Sequence, residues 1–266
     1  MIKNIKLFIN KNDKSIETAK LIKERLTYNG FIVDDKKYDL GIAVGGDGSF
    51  LRMVKQNNFN SDIYYIGINL GTLGFMQEVK VDEIDNFISE LKEEKYKVDE
   101  IGIQETIVNA KHYQAKPPKF YSLNEIVVRD KNLKVVKCDI NIDNDLLEKF
   151  MGDGILISTS SGSTAHNLSY GGSIIYPTFS SLQITPMGPI NSKAYKSLVN
   201  SVIIPDKKEI TLIPENKCLL LTIDGENKVY SEVESISTKI DDKKIKCLRL
   251  SHYNFPEKIN EKLLSN

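Results

Sequence analysis

In the first part of the chain, the apolar positions alternate between the short runs of buried strands and the spacing of amphipathic helices. Strands are predicted at Ile5 to Ile9, Leu40 to Val44 and Ile63 to Ile68. Helices are predicted from about Ser15 to Asn29 and from about Val81 to Glu94. Each has apolar residues on one face: the first helix has Ile16, Ala19, Ile22 and Leu26, and the second has Ile84, Phe87, Ile88 and Leu91. This alternation predicts a Rossmann-like α/β domain with a parallel sheet over residues 1–97.

After about Val98 the pattern changes to short runs of β-branched and aromatic residues that turn residues separate. It predicts an all-β, antiparallel, sandwich-like domain over residues 98–240. Asp143-Asn144 and Asp224-Gly225 are predicted hairpin turns, because both pairs tolerate positive φ. The remaining segment, residues 241–266, contains a predicted helix from Phe255 to Leu264 with Ile259, Leu263 and Leu264 as its apolar positions.

A glycine-rich acidic turn, Gly45-Gly46-Asp47-Gly48-Ser49, follows the second predicted strand. Its glycines allow backbone N–H groups to approach an anion, and Ser49 is a predicted cap for a helix that begins at Phe50. The turn alone is equally compatible with a tight connection whose Asp bonds its own backbone. The loop Gly71 to Gly74 follows the third strand, and loops at the carboxyl ends of parallel strands lie together.

A second glycine-rich run begins at Gly152-Asp153-Gly154 and reaches Gly171-Gly172. It contains a stretch of hydroxyl residues, Ser158 to Thr164, interrupted only by Gly162. Such a stretch can also be a flexible spacer. A strand-like segment before it and a helix-compatible segment, Ala165 to Leu168, after it favour an ordered loop that binds phosphates or sugars.

The composition of the chain indicates which kinds of binding partner and which cellular compartment to expect. The chain of 266 residues has 36 basic and 36 acidic residues, so no overall charge draws it to nucleic acid or to an anionic membrane. No segment is apolar enough to span a bilayer, and the N-terminus does not have the pattern of a signal peptide. Three scattered cysteines suit a reducing cytoplasm, and three dispersed histidines predict no histidine metal site.

Taken together, the motifs resemble those of the NAD kinases, which phosphorylate the 2′-hydroxyl of the adenosine ribose of NAD to give NADP. The resemblance follows the order of the family over most of the chain and is carried by these segments: Gly45 to Gly48, Gly71 to Phe75, Asn124-Glu125, Gly152 to Gly154, Ser163 to Ala165, Asn167 to Ser169, and Ile184 to Pro186. The chain differs from the usual family pattern at His166, Ser173 and Glu226, where Tyr, Pro and Gln are common.

The resemblance implies an enzyme that uses ATP as phosphoryl donor with Mg²⁺ or another divalent cation, the metal being held through the nucleotide phosphates. It also implies a homodimer or homotetramer and a C-terminal segment that returns to pack on the first domain. No Walker A motif is present, so the backbone of Gly45 to Ser49 is expected to hold the donor phosphates.

By the same resemblance, Asp47 is the catalytic carboxylate, either as general base or as the group that positions the hydroxyl and organises Mg²⁺ through water. Asn124 and Glu125 are expected to bind the adenosine of NAD, and Asp153 and Ser169 to lie near its nicotinamide half. Phe75 is expected to form an apolar wall, although simple core packing explains it nearly as well. The other expected binding residues are Gly45, Gly46, Gly48, Ser49, Leu73, Gly74, Ser161, Thr164, Ala165 and His166.

Two rival functions fit parts of the sequence. A lipid or diacylglycerol-type kinase shares the Gly-Gly-Asp-Gly turn, but it would need an apolar approach for acyl chains where this chain has hydroxyls and amides. A non-catalytic NAD(P) sensor would be favoured if Asp47 were replaced, and Asp47 is present.

Overall fold

The computed structural model describes residues 2–71, 74–113, 115–193 and 195–265. The chain divides into two compact units, one made of Met1–Ile101 with Lys244–Asn266 and the other made of Gly102–Lys243. No described helix is long and apolar enough to cross a membrane.

The first unit is an α/β domain around a parallel sheet. Its N-terminal elements are β1 (Asn4–Ile9), α1 (Asp13–Tyr28), β2 (Ile32–Val33), β3 (Leu40–Gly45), α2 (Asp47–Gln56), β4 (Tyr64–Asn69), β5 (Val79–Lys80) and α3 (Ile84–Lys92). The strands β4, β3, β1 and β2 are neighbours in this order, all in parallel pairs. β3 is buried along its whole length, as the continuous apolar run predicted.

Two details of the predicted helices are wrong. Ile16 is 40% exposed, because the buried face of α1 runs through Ser15, Ala19, Ile22 and Leu26 instead. Helix α2 begins at Asp47 rather than at Phe50, and Gly46 takes the extended N-cap position, so Ser49 does not cap it. An acidic residue in the first turn is favoured by the positive end of the helix dipole, which suits this earlier start.

The second unit consists of antiparallel β structure. Its elements are β6 (Lys97–Ala110), which begins in the first unit, β7 (Lys119–Ser122), β8 (Glu125–Asp130), β9 (Val136–Ile142), β10 (Asp145–Gly152), β11 (Gly154–Thr159), α4 (His166–Ser169), β12 (Ser181–Met187), β13 (Val202–Pro205), β14 (Ile210–Pro214), β15 (Cys218–Ile223), β16 (Glu226–Ser231) and β17 (Val233–Arg249), which ends in the first unit. One sheet has the order β13-β12-β11-β8-β15-β16, and a second set of neighbours has the order β10-β9-β14-β17.

Both predicted hairpin turns are present in this unit. Asp143 joins β9 to β10 with φ 54°, and Asp224-Gly225 joins β15 to β16 with φ values of 44° and 84°. Two consecutive positive φ values give the primed turn whose twist matches that of the flanking strands. The apolar side chains between the strands form one core cluster that includes Ile126, Ile157 and Leu221.

The C-terminal segment packs on the first unit, as the resemblance implied. The end of β17 pairs in parallel with β4, through Lys246 and Cys247. Helix α5 (Phe255–Ile259) follows, with Asn254 as its N-cap. The predicted apolar face of this helix is wrong, because Leu263 and Leu264 are exposed while Phe255 and Lys258 are buried.

Candidate functional site

Asp47 is the first residue of α2 and lies directly after β3, where the chain leaves the sheet. Its carboxylate accepts hydrogen bonds from the backbone N–H groups of Phe75 (2.8 Å) and Met76 (3.0 Å). A Cβ added at Gly74 would overlap this carboxylate, so glycine at that position allows the close approach. The donors lie in the loop after β4, which contradicts the alternative in which Asp47 bonds only its own turn.

The loops after β3 and β4 therefore meet at the carboxyl ends of their strands, as predicted. Asp47 is partly exposed rather than sealed in the core. Two amide donors fix its orientation and occupy one acceptor position on each oxygen. The remaining acceptor positions are available to an external hydroxyl group.

A cavity of about 510 Å³ adjoins this turn. Two helices begin at it: Asn12 and Ser15 belong to the start of α1, and Gly46 is the N-cap of α2. Helix N-termini carry partial positive charge and free N–H donors, and both features suit an anion. The cavity is lined by Asn10, Asn12, Lys14, Ser15, Gly45, Gly46, Asn69, Leu70 and Gly71.

Polar side chains stand at the edge of this cavity. The amide of Asn10 donates to the Ser49 hydroxyl at 2.9 Å, and Arg52 donates to the side-chain oxygen of Asn10 at 2.5 Å. A Cβ at Gly45 would overlap the same hydroxyl. The ammonium group of Lys14 donates to the carbonyl of Leu70. Two positively charged side chains, those of Lys14 and Arg52, therefore lie beside the glycine turn.

In the second unit, Asn124 and Glu125 lie at the start of β8, and both are buried. The hairpin turn between β15 and β16 holds their backbone. The carboxylate of Asp224 accepts from the N–H groups of Leu123 (2.7 Å), Asn124 (2.8 Å) and Glu125 (3.2 Å). This carboxylate therefore orients the Asn-Glu pair.

Two buried side-chain oxygens of this pair, Oδ1 of Asn124 and Oε2 of Glu125, have no hydrogen-bond partner among the described residues. A buried polar atom without a partner is costly, and native structures usually reserve such atoms for a ligand or water. Burial, with the nearby charge of Asp224, raises the pKa of Glu125 to about 8, while a hydrogen bond from the backbone of His166 opposes the shift. At neutral pH this carboxyl group therefore carries a proton and can donate as well as accept.

The hydroxyl run packs directly against the same pair. Ser158 and Thr159 end β11, and the N–H of Thr159 donates to the carbonyl of Asn124 at 2.8 Å. A Cβ at Gly162 would overlap the backbone of Asn124, so only glycine fits there. The run therefore forms an ordered turn, which excludes the flexible spacer.

The other predicted residues of this unit differ in exposure. Ser161 is buried, Thr164, Ala165 and His166 are half-buried, and Asp153 and Ser169 are exposed. The ring of His166 lies 5.2 Å from that of Tyr170, whose hydroxyl accepts from Arg129 at 2.9 Å. Partial burial lowers the pKa of His166, and the charge of Arg129 adds to the effect, so this imidazole is neutral at pH 7.

Comparison with known proteins decides the family. A family model described as "ATP-NAD kinase N-terminal domain" matches residues 6–96, and "ATP-NAD kinase C-terminal domain" matches residues 123–240. An NAD kinase of Finegoldia magna is 40% identical over 254 residues, 92% of each chain. The chain belongs to the NAD kinase family. An NAD kinase 1 of Halalkalibacterium halodurans is 30% identical over 96% of each chain.

The fold is also that of the NAD kinase family. Yeast NADH kinase, in a crystal structure with NADH, matches with a TM-score of 0.86 at 20% identity, over 100% of this chain and 88% of that chain. An NAD kinase from Archaeoglobus fulgidus, in complex with ATP, matches with a TM-score of 0.74 at 18% identity, over 97% of each chain.

Within this NAD kinase fold, the structure brings several predicted residues together inside each unit. Gly45 to Ser49 meets Gly74 and Phe75 in the first unit, and Asn124 and Glu125 meet Ser161 to His166 in the second. The half-buried ring of Phe75 lies 6.5 Å from that of Phe255. Leu73 lies outside the described residues.

Sequence reasoning missed Asn10, Lys14 and Arg52 at the cavity and Asp224 as the support of the Asn-Glu pair. Lys14 had a usable signal, since it stands at the start of a helix that follows a strand, where anions often bind. Asp224 was seen only as a turn residue, because its three amide partners are about 100 positions away in the chain.

Proposed function

We propose that this protein is an NAD kinase that transfers the γ-phosphoryl group of ATP to the 2′-hydroxyl of the adenosine ribose of NAD, giving NADP. The observation that carries the proposal is the Asp47 carboxylate, which two backbone amides hold beside a polar cavity at two helix N-termini. Membership of the NAD kinase family supplies the substrate classes.

Asp47 is proposed as the catalytic residue. Its free acceptor positions bind the ribose hydroxyl and orient the oxygen lone pair toward the phosphorus, and the carboxylate is available to accept the proton as the bond forms. Phosphoryl transfer depends mainly on such alignment, because the transition state needs little covalent help from the protein. The fixed orientation of Asp47 supports this role.

ATP is proposed to place its phosphates in the cavity at Gly45 and Gly46. The N–H group of Gly48, in the first turn of α2, and the charged side chains of Lys14 and Arg52 are proposed to bind the phosphates. The N–H of Ser49 already donates to the carbonyl of Gly46 at 2.8 Å. The described residues contain no group of three or more acidic, histidine or cysteine side chains that could hold a metal ion. Mg²⁺ or another divalent cation is proposed to enter as the complex with ATP and to neutralise phosphate charge.

NAD is proposed to bind with its adenosine at Asn124 and Glu125. Their unpartnered oxygens, together with the protonated carboxyl of Glu125, offer donors and acceptors to a purine edge or a ribose. The turn from Ser161 to His166 is proposed to line the same pocket. Asp153 and Ser169 are proposed at the nicotinamide half, and Leu73, Gly74 and Phe75 beside a ring of the substrate.

We further expect a cytoplasmic homodimer or homotetramer. Equilibrium sedimentation checks the assembly, and a profile that fits a monomer alone would contradict it.

The direct test combines purified protein with NAD, ATP and Mg²⁺, and measures NADP with a dehydrogenase that accepts only the phosphorylated cofactor. Formation of NADP that requires all three components is expected. A parallel reaction with diacylglycerol in mixed micelles measures phosphatidic acid. Phosphatidic acid without NADP would overturn the proposal in favour of a lipid kinase, and NADP binding without any turnover would indicate a sensor.

A further inference from the structure

The short segment from Phe75 to Glu78 is held from two sides in the first unit. On one side, its first two N–H groups donate to the Asp47 carboxylate. On the other side, its last two residues are bonded to the C-terminal segment. The N–H of Glu78 also donates to the carbonyl of Gly67 in β4, at 2.9 Å. The orientation of Asp47 therefore depends on a peptide that both β4 and the C-terminal segment hold.

Lys258 of α5 makes the most direct of these contacts. Its ammonium group donates to the carbonyl of Gln77 at 2.5 Å and lies 3.5 Å from the carboxylate of Glu78. Lys258 is only 6% exposed, although lysine is almost never buried without partners. Burial lowers the pKa of Lys258 to about 8, while the negative charges of Glu78 and Asp47 favour its protonated form.

Arg249, at the end of β17, completes the buried network. It pairs with Glu78 at 3.3 Å and with Asp99 at 2.9 Å, and the N–H of Leu250 donates to the other oxygen of Glu78 at 3.1 Å. The side chains of Arg249 and Glu78 are 6% and 3% exposed. Ion pairs that water cannot screen keep a fixed geometry, so Glu78 has little freedom to move.

The residues at the start of this segment are also held in place by close contacts. Gly74 touches the Asp47 carboxylate, and the ring of Phe75 packs near that of Phe255 in α5. A displacement of the Gln77 carbonyl would therefore move the peptide that carries the two amides. A shift of about 1 Å in a group that aligns a reacting oxygen can cost roughly 100-fold in rate.

We propose that Lys258 is a positioning residue for phosphoryl transfer, which fixes the Gln77 carbonyl and through it the two amides that orient Asp47. The inference rests on the proposed catalytic role of Asp47. The Glu78–Arg249 pair supports the same peptide, and Lys258 is the member of the network that touches the backbone between the amides and Glu78. Its contribution is to turnover rather than to substrate affinity, because it lines neither proposed substrate pocket.

The test compares Lys258→Met, which keeps length but loses the donor and the charge, with Lys258→Arg, which keeps both. Lys262→Met is the matched control, since Lys262 is in the next helical turn and has no ion pair with a described residue. Steady-state rates are normalised to the folded fraction, measured by urea denaturation. For Lys258→Met, kcat is expected to fall by about 10-fold or more, with the KM values for NAD and ATP within about threefold of wild type.

Lys258→Arg is expected to recover most of kcat, and Lys262→Met to match wild type. If Lys258→Met does not fold, Lys258→Gln is measured in its place. We expect its kcat to fall by about fivefold or more, because the neutral amide is a weaker hydrogen-bond donor than the ammonium group. A wild-type kcat in the folded Met or Gln variant, or a loss confined to stability, would overturn the positioning role while the proposed function stands. An inactive wild-type protein would overturn the proposed function and this inference with it.

Discussion

Each unit has one carboxyl group in its candidate site, Asp47 in the first and Glu125 in the second, and the surroundings of the two groups are opposite. Asp47 is partly exposed, and each of its oxygens accepts a backbone N–H at normal distance. Glu125 is buried, one of its oxygens has no partner among the described residues, and its pKa is raised to about 8. The orientation of Asp47 is fixed without a ligand, whereas Glu125 has an oxygen that is free to form a hydrogen bond with one.

The difference matches two functions of a carboxyl group, which are to align a reacting atom and to recognise a ligand. A group that must align a reacting oxygen gains from being fixed in advance, because no reorganisation is then needed at the moment of reaction. A group that must recognise a ligand gains from an empty bonding position, because an incorrect ligand leaves it unsatisfied. We therefore expect changes at Asp47 to act on turnover and changes around Glu125 to act on NAD binding.

The largest expected effect is that of Asp47→Asn. The amide keeps the size of the side chain but cannot accept a proton, and it presents an NH₂ group to one of the two backbone donors. We expect kcat to fall by about 1,000-fold or more, with the dissociation constant for NAD changed by less than about threefold.

Isothermal titration gives the binding constant and the coupled dehydrogenase assay gives kcat. Asp62→Asn is the control, because Asp62 is an exposed carboxylate in the loop before β4. A near-normal rate in Asp47→Asn would eliminate both proposed roles of this carboxylate.

The second effect concerns the support of the Asn-Glu pair. Asp224→Ala removes the acceptor of three backbone N–H groups, so we expect the free energy of unfolding to fall by about 2 kcal/mol and NAD to bind about 10-fold more weakly. Urea denaturation and titration with NAD measure the two changes. Asp242→Ala, at an exposed position of β17, is the matched control. Unchanged NAD affinity in a destabilised Asp224→Ala protein would show that the orientation of the pair does not matter for binding.

The third effect is a change in stability with pH. The pKa of Glu125 is about 8 when folded and near the usual 4.5 when unfolded, so the folded protein binds one more proton between these values. Stability contributed by this group is therefore greatest below pH 4.5 and falls as pH rises toward 8. Glu125→Gln cannot ionise, and we expect it to raise the free energy of unfolding by about 2 kcal/mol at pH 7.

Urea denaturation of Glu125→Gln and wild type at pH 5, 6, 7 and 8 checks this expectation. The difference between them should grow with pH. Glu234→Gln, an exposed position of β17, should show no such growth. A constant difference would mean that Glu125 is ionised in the folded protein, and the contrast with Asp47 would then be one of burial alone.

The features that sequence could predict are those that neighbouring residues determine. The strand before Gly45, the Asp224-Gly225 turn and the ordered hydroxyl run follow from local apolar pattern and backbone preference. The supports of the two carboxyl groups do not, because Phe75 and Met76 meet Asp47, and Asp224 meets Asn124, only when the sheets assemble. The C-terminal segment reverses the expected pattern for the same reason: Leu263 and Leu264 are exposed, while Lys258 is buried against Gln77 and Glu78, which lie far away in the chain.

The Asp224-Gly225 turn restricts which residues can occupy position 224 beside the proposed NAD site. Residue 224 must adopt a left-handed backbone, with φ 44°, and must also present an oxygen to three N–H groups. Among the residues that enter this conformation readily, glycine lacks the oxygen and asparagine lacks the charge. A single substitution at position 224 can therefore disturb both the shape of the hairpin and its hydrogen bonds to the backbone of Leu123, Asn124 and Glu125.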